Sequence, residues 1–175
     1  MAITFHPNGD ITGTGASNFG QTGTVLQTVH NFSNTKLESS DDFDIISATI
    51  TPSSTSSKIL FLYTGNVAQE NNSGLEWGYV AYRNSTEIRL GSNYSRATFQ
   101  AFGTDNRAAA VNSNGTYTIT GTLLDEPNTT SAVTYKLGWR ANGSGTLYVN
   151  RTVGDADTGD YERYMSIISA TEIAQ

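Results

Sequence analysis

The sequence predicts an all-β protein, an antiparallel β-sandwich or jelly roll of about nine strands with an extended N-terminal arm. Charged residues make up only 15% of the 175 residues, and Ser, Thr, Asn and Gly are abundant. These residues disfavour helices, because their side chains bond the nearby backbone or, for Gly, because ordering costs entropy. Apolar segments also recur at short intervals between clusters of turn-forming residues, which is typical of sandwiches and barrels.

Residues 1–23 form the predicted arm. ITFHPNGDIT places a Pro-Asn-Gly-Asp turn between two short β-prone ends, which predicts a small hairpin. GTGASNFGQTG, which follows, has the composition of a flexible linker. An isolated hairpin is marginally stable in water, so the segment is either a loose tail or a docking arm ordered by another subunit, and we expect a docking arm. Its sizeable apolar side chains are the predicted partner-docking residues: Ile3, Phe5, Ile11 and Phe19.

Residues 24–175 form the predicted sandwich domain. Strands are expected at residues 24–32, 43–52, 57–68, 75–83, 86–91, 115–124, 131–141, 145–153 and 161–173. The separators, for example TPSSTSS, DEPNTT and GDADTGD, are rich in turn formers. Residues 92–114 alternate less clearly, and we expect a short strand at 97–102 and a long loop there, with a single helical turn in RAAAV as the alternative.

Two of these segments show the alternation of a sheet with one buried face. In GTYTITGTLL, the apolar residues Tyr117, Ile119 and Leu123 point to one side and the threonines point to the other. In AVTYKLGWR, a set of apolar residues shares the face opposite the polar ones: Val133, Tyr135, Leu137 and Trp139. This pattern is typical of an antiparallel sheet that packs on one side only.

Charge and hydropathy argue against several classes of partner. The net charge is −6 and no cluster of Lys and Arg is present, so binding to nucleic acid or to anionic lipid is not expected. No apolar run approaches the roughly 20 residues of a membrane span, and the N-terminus lacks the features of a secretory signal. The chain has no cysteine, which excludes disulfides and thiolate metal sites.

The residues that catalysis requires are not gathered in any recognisable pattern. Nucleophilic catalysis needs a base beside the nucleophile, but His6 lies in the arm and His30 lies at the end of a strand. The G-x-S-x-G motif of serine hydrolases is absent, and the glutamates are scattered over strand ends without a distinguished pair. We therefore expect a protein that is not an enzyme and that uses no cofactor.

Two weaker candidates for ligand sites remain. Three carboxylates in GDADTGD offer oxygen ligands of the kind that Ca²⁺ prefers, although the spacing is not that of an EF-hand and an ordinary turn uses the same residues: Asp155, Asp157 and Asp160. Four residues of the 75–83 strand share one face, which favours a place in the core: Leu75, Trp77, Tyr79 and Ala81. Tyr82 and Tyr94 remain as candidate exposed rings on which a glycan could stack.

Three phrases resemble those of a known group of proteins. TVLQTVHNF, ISATITPSSTSSKILFLYTGNVA and YERYMSIISATEIAQ are similar to recurring strand phrases in short β-rich virion proteins of tailed bacteriophages. The resemblance covers most of residues 24–174, and ITPSSTSSKIL is its most specific part. It implies homotrimers of jelly-roll-like domains in head decoration or in fibres, without catalytic residues or cofactors.

Within that group, the sequence favours a capsid decoration (cement) protein that is made in the host cytoplasm and resides in the virion. A fibre normally has a shaft of repeats or coiled coil, and the sequence shows neither. We therefore expect the arm to dock onto the major capsid protein or another virion protein. The alternatives are a tail-fibre or receptor-binding tip that contacts a host glycan, and a non-viral C1q-like or carbohydrate-binding module.

Overall fold

The fold is described from a computed structural model, which defines residues 3–5, 11–13, 22–39, 43–69, 76–88, 101–103, 116–142 and 146–175. Within these residues the chain forms β-strands and contains no helix. The strands are β1 (Ile3–Phe5), β2 (Ile11–Gly13), β3 (Val25–Ser33), β4 (Leu37–Ser39), β5 (Phe43–Ile50), β6 (Lys58–Gln69), β7 (Glu76–Arg83), β8 (Thr86–Glu87), β9 (Ala101–Gly103), β10 (Tyr117–Asp125), β11 (Val133–Asn142), β12 (Leu147–Val149) and β13 (Ser166–Ile173).

The strands form two larger antiparallel sheets and one separate hairpin. In sheet I the order is β3–β13–β6–β10, and β4 and β12 extend one end of it. In sheet II the order is β5–β11–β7, and β8 and β9 both pair with β7. β1 pairs only with β2 in a two-stranded sheet, so the predicted hairpin in the arm is present.

The pairing is nested, which identifies the sandwich as a jelly roll. β3 pairs with β13, β5 with β11, β6 with β10, and β7 with β9. Each pair joins an early strand to a correspondingly late one, so the chain is wound as a folded-over hairpin whose eight nested strands are divided equally between the two sheets. This is the arrangement of jelly rolls, and it confirms the predicted fold class.

The core lies between the two sheets and is rich in aromatic side chains. The rings of Phe61 in sheet I and Tyr135 in sheet II lie 5.4 Å apart, and those of Tyr63 and Tyr79 lie 6.5 Å apart. The four inward residues predicted in β11 are at most 2% exposed: Val133, Tyr135, Leu137 and Trp139. In β10 the predicted alternation is also present, since the residues on the Tyr117 side are less exposed than the threonines between them.

Several boundaries differ from those expected from the sequence. β12 ends at Val149 because Asn150 adopts a left-handed backbone with φ of 59°, a conformation that asparagine tolerates better than most residues. Residues 161–165 precede β13 rather than belonging to it, and β4 was not predicted. The strand expected at 97–102 is described as Ala101–Gly103, and RAAAV lies outside the described residues.

Candidate docking face

The outer face of sheet I places side chains from four strands in three rows. The strand registers align Phe32, Ile167, Thr64 and Thr120 in one row; His30, Ser169, Leu62 and Thr122 in the next; and Thr28, Thr171, Leu60 and Leu124 in the third. We call these twelve residues the docking face. Alternation along each strand puts them on the side of the sheet away from the core.

This sheet carries all of the exposed large apolar side chains among the described residues. They lie in sheet I or, for one, directly before β13: Val25, Leu26, Phe32, Leu62, Leu124, Met165 and Ile167. Four of the seven belong to the docking face: Phe32, Leu62, Leu124 and Ile167. Phe32 is the most exposed of the set at 61%.

The docking face is uncharged, whereas the outer face of sheet II is charged. None of the twelve residues is Asp, Glu, Lys or Arg. An ion pair lies beyond one end of the face, where Lys58 Nζ is 3.3 Å from Glu126 Oε1. On sheet II, Lys136 pairs with Asp44 at 2.6 Å, and Arg140 pairs with Glu87. Removing a charge from water costs free energy. Burying the docking face against another surface therefore costs less desolvation free energy than burying the outer face of sheet II.

A hollow of about 320 Å³ lies in the docking face. Its floor and walls come from β6, β10 and β13: Leu62, Tyr63, Thr64, Thr120, Gly121, Thr122, Ile167, Ile168 and Ser169. The outward side chains among these are short or branched, with threonine and serine hydroxyls beside leucine and isoleucine methyl groups. The hollow can therefore accept an apolar group while its hydroxyls remain available for hydrogen bonds.

The sequence of β6 and β13 also contains a signal for this face. In KILFLY, residues that point inward and residues that point outward are both apolar, and Ile167 and Ile168 repeat this in β13. Continuous apolar runs are typical of strands that are covered on both faces. In the structure Leu62 and Ile167 remain 38% and 41% exposed, so the second cover is not supplied by the described part of this chain.

The three phrases that carry the resemblance meet at one buried carboxylate. Glu172, in SATEIAQ, is 0% exposed. One of its oxygens accepts a hydrogen bond from Gln27 Nε2 at 2.6 Å, and the other accepts bonds from the backbone N and Oγ of Ser53, both at 2.7 Å. Burial by itself would raise the pKa of Glu172, but these hydrogen bonds outweigh it and hold the pKa at about 2. The carboxylate thus ties β3 and the TPSSTSS turn to β13.

The aspartates considered as calcium ligands do not assemble into a site in the structure. The carboxylate of Asp155 lies 2.9 Å from Lys36 Nζ and 3.7 Å from Arg151, and it also pairs with Arg163. The hydrogen bond from Lys36 is the main cause that lowers its pKa. Asp157 and Asp160 are exposed in the same loop, and the described residues contain no group of three or more metal-ligating side chains.

The remaining candidate residues have diverse placements. Phe5 in β1 is the cross-strand partner of Ile11 in β2, and Ile3 lies in β1 as well; Phe19 and Tyr94 lie outside the described residues. Tyr82 is half-buried on sheet II, with Lys136 Nζ 5.6 Å from the centre of its ring. A sugar that stacked on that side of the ring would have to displace the ammonium group.

A second buried carboxylate is likewise used within the fold. Asp125 accepts bonds from the Tyr135 hydroxyl at 2.7 Å and from Arg83 at 3.0 and 3.1 Å. Burial and then this hydrogen bond raise the pKa of Tyr135, which keeps the phenol protonated as the donor.

The described part of the chain contains no helix long and apolar enough to cross a membrane.

Comparison with known proteins gives a distant likeness in structure. No family model matches the chain, and no curated protein matches it significantly. Among solved structures it is similar to a chain in the structure of infectious bursal disease virus Gt strain, with a TM-score of 0.41 and 13% identity over 86% of this chain. The present chain covers 43% of that chain.

Proposed function

We propose that this protein is a structural protein of a bacteriophage virion and serves as a capsid decoration protein. In this proposal it assembles as a homotrimer, and residues 1–23 dock onto the major capsid protein or another virion protein. The observation that carries the proposal is the neutral, threonine- and leucine-lined docking face on a jelly roll whose other outer face is charged. Such a domain can bury one face in an assembly and leave the other in water.

The way in which three carboxylates are used supports a role in assembly rather than in catalysis. Glu172 and Asp125 are held by hydrogen bonds from neighbouring side chains and backbone, and Asp155 is held by three cations. A catalytic acid or base needs a pKa near the working pH and access to a substrate. Each of the three carboxylates is paired with groups of the fold, and we propose that the protein has no enzymatic activity.

The arm fits a docking role on energetic grounds. Its hairpin of β1 and β2 forms a sheet separate from the sandwich. Ordering about 20 residues costs roughly 1–2 kcal/mol each in backbone entropy, while complete burial of its four sizeable apolar side chains returns only roughly 6–12 kcal/mol. A partner surface that adds backbone hydrogen bonds, most simply by strand addition, would supply the remainder.

Quantification of the protein in purified phage particles tests the proposal. A decoration protein should be present in hundreds of copies per particle and should be visible on the head with a labelled antibody. A few copies located at the tail would favour the fibre or receptor-binding alternative. Absence of the protein from purified particles would refute a virion role.

A further inference from the structure

We infer that the arm of one copy of this chain adds as a strand to the outer edge of β10 in a second copy. The inference rests on the proposed function and deepens it, because it names the surface that receives the docking arm and makes that surface part of the homotrimer contact. It joins two features of the chain: an edge strand without the usual protection, and a hairpin that pairs with no strand of the sandwich.

β10 is an edge of sheet I that carries none of the devices that normally block further pairing. It pairs with β6 from Tyr117 to Asp125 without a register shift, and with no other described strand. Edge strands are usually protected by lysine, proline, a bulge or short length. β10 has 9 residues and no bulge, and up to Leu124 it contains no proline and no charged residue. Its outer edge is therefore suited to accept another strand.

The outer edge of β10 presents the backbone groups of alternate residues. Asn150 N donates a hydrogen bond to Asn66 O at 2.9 Å, so the backbone of Asn66 faces β12 and not β10. Asn66 is the cross-strand partner of Thr118, and opposed residues in antiparallel ladders alternate between bonded and non-bonded pairs. The N–H and C=O groups that point away from β6 therefore belong to Thr118, Thr120, Thr122 and Leu124. None of them bonds to a described backbone group.

The edges on the other side of the sandwich are partly closed by side chains of β3. Asn31 Nδ2 donates to the backbone O of Ser47 in β5 at 2.8 Å, and Gln27 Nε2 donates to that of Thr51 at 2.7 Å. Asn31 Oδ1 also accepts a bond from the backbone N of Phe32 at 2.9 Å. These bonds occupy backbone groups along both edges, and the ladder between β3 and β13 contains a register shift. Among the described strands of sheet I, β10 is thus the edge that is open to a partner.

The core is incompletely covered beside β10. Ile119 and Leu123 point inward and pack against the core, but both are only partly buried. Phe61, the cross-strand partner of Leu123 in β6, is 0% exposed. A strand that continued sheet I beyond β10 would cover these two side chains if its inward face were apolar.

The hairpin of the arm has the face pattern that this position requires. Its register pairs Phe5 with Ile11 and Thr4 with Thr12. Because successive residues alternate between the faces of a strand, Ile3 shares one face with Phe5 and Ile11, and the threonines share the other. β10 has the same division, with apolar residues inward and threonines outward. The hairpin can therefore continue sheet I with its apolar face on the core side.

Charge also favours contact between the arm and this edge. The chain carries a net charge of −6, but Asp10 is the only Asp, Glu, Lys or Arg in residues 1–23. β10 is uncharged up to Leu124. Two copies therefore meet through these surfaces with little repulsion and without moving a charged side chain out of water.

The arm leaves the sandwich at the edge of sheet I opposite to β10. Gly23 N donates to Ala174 O at 2.8 Å and Ala174 N donates to Thr24 O at 2.9 Å, which holds the base of the arm beside the end of β13. Three strand spacings, about 14 Å, separate β3 from β10. Within one chain β1 and β2 pair only with each other, so the arm and the edge that fits it are left to meet between copies.

Exchange of arms connects two different surfaces, so its repetition forms a ring when the rotation closes. Residues 13 and 23 are separated by a chain that spans at most about 35 Å, which is long enough to reach a neighbouring molecule. In the homotrimer of the proposed function, each copy gives one arm and receives one.

Sedimentation of the full chain between about 1 and 100 μM tests the acceptor edge without phage particles. Thr120→Pro removes an N–H that the sandwich does not use, which an edge strand tolerates, and Thr120→Val is the control that keeps this N–H. Ser47→Pro is the matched control on the β5 edge, where the backbone O of Ser47 already accepts a bond from Asn31. Phe5→Asp alters the arm. Thermal unfolding of each variant checks that it is folded.

We expect the wild type, Thr120→Val and Ser47→Pro to associate equally, to a species of three times the monomer mass of 18.8 kDa. Thr120→Pro and Phe5→Asp should each weaken association at least about tenfold. A monomeric wild type at 100 μM, undiminished association of a folded Thr120→Pro, or equal loss in Ser47→Pro would overturn the inference.

Disulfide cross-linking tests the same contact without a proline, and the chain has no cysteine of its own. Thr4→Cys and Thr12→Cys, each mixed with a tagged Thr120→Cys chain and mildly oxidised, should give mixed dimers. The same mixtures with Ser47→Cys should give at least about tenfold fewer. Equal yields with Ser47→Cys, or no cross-link to Thr120→Cys, would refute the contact. Cross-links formed only within one molecule of the double variant Thr4→Cys/Thr120→Cys would place the arm on its own chain and refute the exchange. Neither failure affects the virion role, which is tested by the copy number in particles.

Discussion

Replacing Glu172 by glutamine should remove a large part of the stability of the sandwich at neutral pH. The carboxylate is fully buried and accepts three hydrogen bonds, one from Gln27 and two from Ser53. Glutamine has the same shape, but it offers one oxygen in place of two. Whichever way the amide is turned, its NH₂ group faces a donor, so at least one of the donors that the carboxylate now satisfies loses its acceptor.

The magnitude follows from the pKa. The hydrogen bonds lower the pKa of Glu172 from its ordinary value of 4.5 to about 2 in the folded protein, which corresponds to roughly 3 kcal/mol of stabilisation at pH 7. Since the native state binds its proton less tightly than the unfolded state, this stabilisation is complete above about pH 4.5 and is lost as the pH falls towards 2. By pH 3 more than half of it, roughly 2 kcal/mol, should be gone.

Urea unfolding of wild type and Glu172→Gln at pH 7 and pH 3 measures both effects. We expect a difference in the free energy of unfolding of roughly 3 kcal/mol at pH 7, equivalent to a decrease in Tm of about 6–12 °C, and a smaller difference at pH 3. Glu126→Gln is the control, because the side chain of Glu126 is 54% exposed and pairs with Lys58 at 3.3 Å, so its loss should cost less than about 1 kcal/mol. The reasoning fails if the two variants are equally destabilised at pH 7, or if the difference for Glu172→Gln is the same at both pH values.

Three further predictions concern ligands and docking. Millimolar Ca²⁺ should leave the Tm unchanged because Asp155 is already paired with three cations; a rise of several degrees that Asp155→Asn abolishes would contradict this. Deleting residues 1–23 should leave the Tm nearly unchanged and abolish incorporation into particles, and Phe5→Asp should weaken incorporation; full occupancy by the truncated protein, or its failure to fold, would refute the docking-arm hypothesis. Purified protein should not inhibit adsorption of phage to host cells, and neither Tyr82→Ala nor Tyr94→Ala should reduce adsorption; competition by the pure protein would favour the receptor-binding alternative.

The long strands were predictable because their signal is local. In β10 and β11 apolar and polar residues alternate with a period of two, and the buried side is the one that the sequence indicated. Short elements were less predictable: β4 has only three residues, and β12 stops where Asn150 takes a positive φ. A three-residue strand has no period to recognise, and its pairing with β12 depends on where the sheet already lies.

The candidate site was less predictable than the fold. The arm residues Phe5 and Ile11 were singled out from the sequence, and the structure pairs them across the hairpin. The docking face was not predicted, because alternation within β10 indicates only that its threonines face outward. Thr120 is indeed exposed, but the hollow that it lines also requires Leu62 and Ile167, which come from strands distant along the chain.

The sequence by itself determined that this chain forms antiparallel strands with one buried face. Three features were sufficient: the alternation of apolar and polar residues, the spacing of turns and the shortage of helix-forming residues. All three are local, because the period of a strand is a property of neighbouring residues. The tertiary structure alone decided which outward side chains became neighbours. Phe32, Ile167, Thr64 and Thr120 form one row only because β3, β13, β6 and β10 pair in a particular register, and a shift of one residue would turn the side chains of a strand to the opposite face. The nested pairing likewise brings Gln27 and Ser53 to Glu172. Hydrogen bonds between distant strands and packing of the core set these registers, and no short segment contains that information.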